Sequence, residues 1–245
     1  MKEIISIEKI SKLNGILEKP LLGLIYGSRK KDSDKDIFLI YEKPIEKNIF
    51  INNFDFNQID FKKFKEKIFY RDIEYTEPIL TGEYFLGDRK ILDNSIKFLH
   101  ENQPEENIYD YLKKRSIETF LQASSFYSKG KEEMFIKMAY SNFPPSKIKK
   151  NLFENNLQFH SEIFNKSLST LTYSLSYLSS IYRYKNREKF VTVNELMDNP
   201  KNKMEETFSN LRKYFKSCSK KLNSLSFDKI DAYFEEAKYL LKEFV

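Results

Sequence analysis

Asp34 and Asp36 stand two residues apart at the head of the apolar run Ile37-Phe38-Leu39-Ile40-Tyr41. In an extended chain residues i and i+2 share a face, so the two carboxylates sit side by side while Lys35 faces the other way. Like charges that close repel unless a cation lies between them, and hard oxygen donors select Mg²⁺ or Mn²⁺ over zinc. A few residues earlier, Gly27 closes the apolar run Leu21–Tyr26. A residue that tolerates positive φ at the end of a buried strand lets an anionic group approach the backbone. Ser28 adds a hydroxyl donor, and Arg29, Lys30 and Lys31 add positive charge. Taken singly, an Asp-x-Asp pair or a basic triplet is ordinarily a solvated turn. Both within one stretch, behind a buried strand, describe a place for a divalent cation and a polyphosphate.

The pair Gly27-Ser28 followed by Ser33-Asp34-Lys35-Asp36 resembles the signature of the polymerase β-like nucleotidyltransferase superfamily. The resemblance covers roughly the first hundred residues. It implies that Gly27, Ser28, Arg29, Lys30 and Ser33 bind nucleotide, and that Asp34 and Asp36 hold catalytic metal. It also implies a third carboxylate on a later strand, flanked by hydrophobic residues. Asp55, in Asn53-Phe54-Asp55-Phe56-Asn57, fits that description best. Asp60, in Ile59-Asp60-Phe61, has the same local pattern but also stands where an N-cap would precede a helix. The family commonly has a longer stretch between its Gly-Ser and its Ser-Asp-x-Asp, whereas here only Arg29-Lys30-Lys31-Asp32 intervene. The expectation is that these basic side chains supply charge where a longer loop supplies backbone N–H groups. The activity implied is metal-dependent transfer of a nucleoside monophosphate, with AMP from ATP expected, to an acceptor hydroxyl with release of pyrophosphate. Mg²⁺ or Mn²⁺ is the implied cofactor.

The elements that must carry these residues are legible in outline, and the expected class is α+β. Residues 4–17 have helical apolar spacing and end at Pro20. Strands are expected over Leu21–Tyr26, Ile37–Tyr41 and about Ile51–Phe56. An amphipathic helix over Phe61–Tyr70, a short Pro-started helix over Glu77–Thr81 and a helix over Leu92–Leu99 follow. Residues 61–88, ending in Tyr84-Phe85-Leu86-Gly87-Asp88, resemble the close of a minimal nucleotidyltransferase domain. The polar stretch Glu101–Glu106 with Pro104 marks the boundary, giving a nucleotidyltransferase domain at 1–103 and a helical bundle at 104–245.

Helical periodicity dominates the second part, through Ile108–Leu121, Ile148–Tyr182 and Ile230–Phe244. Breaks at Pro144-Pro145 and at Asp198-Asn199-Pro200 predict about five helices. Within Ser167–Ser180 the leucines stay in helical phase, so the serines form a small-residue face suited to close helix approach. A nucleotidyltransferase domain followed by helices is similar in plan to aminoglycoside nucleotidyltransferases and to minimal nucleotidyltransferases with HEPN helical partners. That plan implies an acceptor-binding or partner role for the bundle. The HEPN ribonuclease motif, an Arg with a His four to six residues on, is absent at both His100 and His160. Three readings follow: transfer to a small hydroxylated molecule; transfer to RNA such as tRNA, or to protein, as a toxin–antitoxin or defence component; and a non-catalytic nucleotide-binding module. Glu118 is a further candidate base beside its ordinary role on a solvated helix face. The cluster Arg183–Lys189 is either an anion-binding patch or a helix C-terminus whose cations offset the dipole.

Composition narrows the class. The 245 residues carry 42 basic and 36 acidic side chains, a net charge of +6, which permits an anionic partner without requiring one. With 22 Phe, 16 Tyr and no Trp, aromatic packing carries much of the core. A single cysteine, Cys218, rules out an intramolecular disulfide and fits a reducing compartment. No Cys or carboxylate pair accompanies either histidine at zinc spacing. With no apolar run near 18 residues and no leader-like segment, a cytoplasmic, non-membrane protein is expected.

Overall fold

The computed structural model describes residues 20–27, 35–43, 50–51, 54–141, 147–218 and 226–244. The expected helix at 4–17 and the Pro144-Pro145 break lie outside the described residues. The class is α+β: a mixed sheet with flanking helices, followed by helices alone. By contacts the chain divides into two compact units. One comprises residues up to Ile108 together with Tyr184–Thr192; the other comprises Tyr109–Arg183 and Val193–Val245. The return of Tyr184–Thr192 to the first unit is not contained in the contiguous division 1–103 and 104–245.

Among the described residues the first unit is built on five strands: β1 (Leu22–Tyr26), β2 (Lys35–Tyr41), β3 (Phe50–Ile51), β4 (Phe54–Asp60) and β5 (Glu83–Gly87), in the order β3-β4-β2-β1-β5. β2 and β4 are parallel and the other neighbours antiparallel. The single strand expected near Ile51–Phe56 is therefore two, β3 pairing antiparallel with β4.

Among the described residues three helices accompany the sheet: α1 (Phe61–Phe69), α2 (Ile73–Thr81) and α3 (Arg89–Glu101). Each begins at an aspartate whose carboxylate accepts a hydrogen bond from a backbone N–H of its first turn: Asp60 from Lys63 at 2.9 Å, Asp72 from Glu74 at 3.3 Å, Asp88 from Lys90 at 2.9 Å. α2 starts at Ile73, four residues before the Pro-started helix expected at Glu77, and Pro78 lies inside it. The Asp72 cap decides the start. Leu22, Leu24, Phe38, Ile40 and Ile59 of the sheet pack with Phe64, Ile68, Ile79, Leu92 and Leu99 of the helices. Each such side chain stabilises the unit by roughly 1.5–3 kcal/mol on burial.

One cation is fixed inside this unit. Arg71, 1% exposed and left-handed at φ 54°, donates to the carbonyls of Leu99 at 3.2 Å and Asn102 at 2.6 Å, where α3 ends. A positive charge is favoured beside those unpaired carbonyls. Its guanidinium also lies over the rings of Phe98 and Tyr184, and His100 meets Phe190 edge-on at 4.5 Å.

The second unit holds most of α4 (Glu106–Ser141) and α5 (Lys147–Lys185), then α6 (Val193–Asp198), α7 (Lys203–Cys218) and α8 (Phe227–Phe244). The serine face of α5 meets α4 through hydrogen bonds. Ser116 Oγ donates to the Ser174 carbonyl and Ser174 Oγ to the Ser116 carbonyl, both at 2.8 Å, and Ser167 Oγ donates to the Ala123 carbonyl at 2.8 Å. Such bonds need backbones close together, which small side chains allow. An aromatic cluster of Tyr127, Phe164, Phe227 and Phe234 fills the space beside this seam.

Candidate functional site

The sheet presents a grid of register partners on the face that packs against the helices. The innermost row is Leu22–Ile40–Ile59 and the next is Leu24–Phe38–Asn57. The outermost, where β1 ends and β2 and β4 begin, is Tyr26–Asp36–Asp55, with Phe50 beside Asp55 on β3. Partners across a ladder belong to the same face. Two acidic residues thus occupy adjacent positions on neighbouring parallel strands, although 18 residues separate them in the chain.

Gly27 follows directly on Tyr26 and has φ +92°, a region that L side chains rarely adopt. The space beside its Cα is filled: a Cβ built there would collide with Oδ2 of Asp36. The positive φ matches the reading of Gly27 as a residue needing backbone freedom. The group that comes close to it here is the Asp36 carboxylate. Tyr26 lies across the ladder from Asp36 and sets its ring edge-on to Phe38 at 6.5 Å. Phe38 is fully buried and continues into Phe64 and Tyr75 at 6.1 Å each, so an aromatic floor supports the Asp36 end of the sheet.

Of the residues singled out in the sequence, Gly27 and Asp36 are described in full and Asp55 by its backbone. Ser28, Arg29, Lys30, Ser33 and Asp34 lie outside the described residues. Asp60 stands five residues further along β4, pairs with Tyr41, is 7% exposed and caps α1. Its carboxylate is therefore engaged in helix capping, with Lys63 Nζ 3.7 Å away. Glu118 is half exposed and ion-paired with Arg115 at 3.5 Å and Lys114 at 3.9 Å, the solvated helix-face role. Arg183 is 3% exposed and paired with Glu205 at 2.6 Å, and Tyr184 is 3% exposed. Neither is open to an anionic ligand, which corrects the patch reading for those two residues.

Tyr26 was not singled out from sequence. Its place across from Asp36 is positional and appears only once the register is known. Among the described residues no three His, Cys, Asp or Glu gather at metal-binding distance, and no helix is long and apolar enough to cross a membrane.

No protein-family model matches the chain, and no curated protein matches it. Among solved structures it is similar to a nucleotidyltransferase-like protein from Exiguobacterium sibiricum 255-15, with 11% identity and a TM-score of 0.37, over 96% of this chain and 73% of that one.

Proposed function

We propose that this chain is a metal-dependent nucleotidyltransferase that moves a nucleoside monophosphate, AMP from ATP, onto the hydroxyl of a small hydroxylated acceptor. The observation that carries the reading is the row Tyr26–Asp36–Asp55 ending at the Gly27 turn. Two register-paired acidic residues at one end of the sheet, beside a glycine with positive φ, support reading the Gly-Ser and Asp-x-Asp pattern as one site. The donor set fits a hard divalent cation: carboxylate oxygens only, with Asp36 drawn up against Gly27. Asp34, Asp36 and Asp55 would hold it. When bound, Mg²⁺ or Mn²⁺ neutralises triphosphate charge and lowers the pKa of a bound hydroxyl.

In this reading Gly27, Ser28, Arg29, Lys30 and Ser33 receive the polyphosphate through N–H, hydroxyl and cationic donors. Asp55, on the β4 side, accepts the proton as the acceptor oxygen attacks the α-phosphorus. The new O–P bond forms as the bond from the α-phosphorus to the bridging oxygen breaks, and that oxygen leaves with pyrophosphate. Holding two substrates in line is worth several orders of magnitude in rate, so the residues act mainly by positioning.

The test is incubation of the full chain with each α-labelled triphosphate and Mg²⁺ or Mn²⁺, against an aminoglycoside panel, tRNA and total protein. Label on a small molecule, with pyrophosphate released, is the expected result. Label on RNA or protein would replace the acceptor class, and binding without turnover would leave a nucleotide-binding module. Absence of nucleotide binding would end the reading.

A further inference from the structure

The second unit carries a cleft of about 580 Å³ along the seam between α7 and α8. Thr207, early on α7, donates to Glu236 Oε1 at 2.9 Å, late on α8. Tyr214, two turns further along α7, accepts from the backbone N–H of Ser226, just ahead of α8, at 2.8 Å. The two helices therefore run antiparallel. Residues 203, 206, 207, 210 and 214 form the α7 wall, spaced as one face of a helix, and residues 229, 232, 233 and 236 form the α8 wall.

The inner part of this cleft is fixed by the fold itself. Thr207 is 3% exposed and holds the Glu236 carboxylate, while Ser226 holds the Tyr214 hydroxyl. The half-buried rings of Tyr214 and Tyr233 stand 5.7 Å apart at 35° and make one apolar wall, and Lys229 Nζ lies 5.8 Å over the Tyr214 ring. Toward solvent the cleft is polar. Lys203 and Glu206 stand at the i,i+3 spacing at which opposite charges pair on a helix, yet among the described residues no ion pair joins them. Both face the cleft, one turn on from which the amide of Asn210 is exposed on the same side.

We infer that this cleft binds a neutral polyhydroxylated molecule, a sugar or sugar alcohol, against the Tyr214 and Tyr233 rings. The charged groups lining it are two ammonium groups, Lys203 and Lys229, and two carboxylates, Glu206 and Glu236. An anion would face both carboxylates, and a cation both ammonium groups. A hydroxyl donates and accepts at once, so it uses the carboxylates as acceptors, the ammonium groups as donors and the Asn210 amide as either. The C–H face of such a molecule rests on the aromatic wall. The volume lies within the range of small-molecule sites, roughly 300–1,000 Å³. Every residue invoked belongs to the second unit, so the inference does not rest on the nucleotidyl-transfer reading.

The experiment uses the full chain with ribose, glucose, maltose and sorbitol as probes, against citrate, spermidine and free amino acids. Saturation transfer from the protein's aromatic protons to probe C–H protons detects binding, and titration calorimetry at low and high salt quantifies it. The expected result is binding of at least one sugar or sugar alcohol, with an affinity that salt changes less than about twofold, because a neutral ligand has no charge to screen. Glu206→Ala and Asn210→Ala should each weaken it about fivefold or more. Both residues are exposed, so the thermal midpoint should stay at the wild-type value. Lys213→Ala, exposed on α7 but outside the cleft, should leave affinity unchanged. Binding of none of the four probes overturns the inference. So does an affinity that Glu206→Ala and Asn210→Ala leave untouched, or a salt-sensitive preference for citrate, spermidine or an amino acid. Failure of the nucleotidyl-transfer reading leaves all of these results as they are, since no measurement involves a nucleotide.

Discussion

The carboxylate of Asp36 occupies the place where a side chain on residue 27 would begin, and Gly27 is the residue type that leaves that place empty. Backbone and side chain are thereby coupled across two strands, since Tyr26, the residue before Gly27, is the ladder partner of Asp36. Gly27→Ala carries two costs, the positive φ and the collision with the carboxylate. We expect it to destabilise the protein by roughly 1–3 kcal/mol and to lower transfer activity about 10²-fold or more, as removal of a preorganised charge does. A double-mutant cycle with Asp36→Ala separates the two costs. The collision vanishes in the double variant, so the two destabilisations should sum to more than the measured total. Strict additivity in urea unfolding would show that the contact carries no energy.

The register decides which second aspartate stands with Asp36, and the two candidates on β4 make opposite predictions. Asp55→Asn should cut transfer about 10²-fold with stability unchanged or slightly raised, since an acidic neighbour of Asp36 has been neutralised. Asp60→Ala should do the reverse. It removes the cap that accepts from Lys63 N, costing about 0.5–2 kcal/mol, with kcat retained below the unfolding temperature. Paired measurements of turnover and thermal midpoint on both variants check this, and a swap of the two phenotypes would assign the third carboxylate to Asp60.

Much of the first unit was legible because apolar runs define its central strands. Leu21–Tyr26 and Ile37–Tyr41 announce β1 and β2, and β2 extends back beyond Ile37 because its ladders continue to Asp36 on the β1 side and to Lys35 on the β4 side. The apolar pattern of β4 ends at Phe56 because Asn57 and Gln58 interrupt it, and these are the residues through which the strand still pairs with Phe38 and Leu39. The gathering of Asp36 and Asp55 could be suspected from motif spacing but not read from it. Register between parallel strands is set by the intervening connection and by the buried face, neither of which is a local property. The same holds for Arg183, whose neighbours Lys185, Arg187 and Lys189 suggested a basic surface until its pairing with Glu205, 22 residues away, removed it from solvent.

Tyr41, at the end of β2, offers a pH-dependent check on the same sheet. It is 1% exposed and its hydroxyl has no hydrogen-bond partner among the described residues. Burial pushes its pKa up from 10.0 to about 12. The folded protein therefore keeps this proton where the unfolded chain has lost it, so the contribution is whole below about pH 10 and declines as pH rises toward 12. Over that interval the loss reaches about 3 kcal/mol, at about 1.4 kcal/mol per unit. Tyr41→Phe should flatten this alkaline limb and add about 1 kcal/mol at neutral pH by removing an unsatisfied hydroxyl. Unfolding midpoints across the alkaline range test both, and a parallel decline in the variant would place the titrating group elsewhere.

In the second unit the corresponding test concerns the buried pair. Glu205 is fully buried and accepts from Arg183 Nε at 2.8 Å and Nη2 at 2.6 Å, from Lys201 N at 2.8 Å and from Asn202 Nδ2 at 3.1 Å. Arg183 Nη2 also donates to the Asn199 carbonyl at 2.8 Å, so the pair ties the end of α5 to the chain leading into α7. Glu205→Gln leaves a buried guanidinium without a counter-charge and should destabilise by about 3–5 kcal/mol. Replacing both members, as in Arg183→Met with Glu205→Leu, removes the uncompensated charge and should recover most of that loss, because a well-packed apolar pair often matches a buried ion pair. Chemical denaturation of the single and double variants measures the difference. A double variant as unstable as Glu205→Gln would mean that the backbone donors of Lys201 and the acceptor of Asn199, rather than the charge pair, hold this junction together.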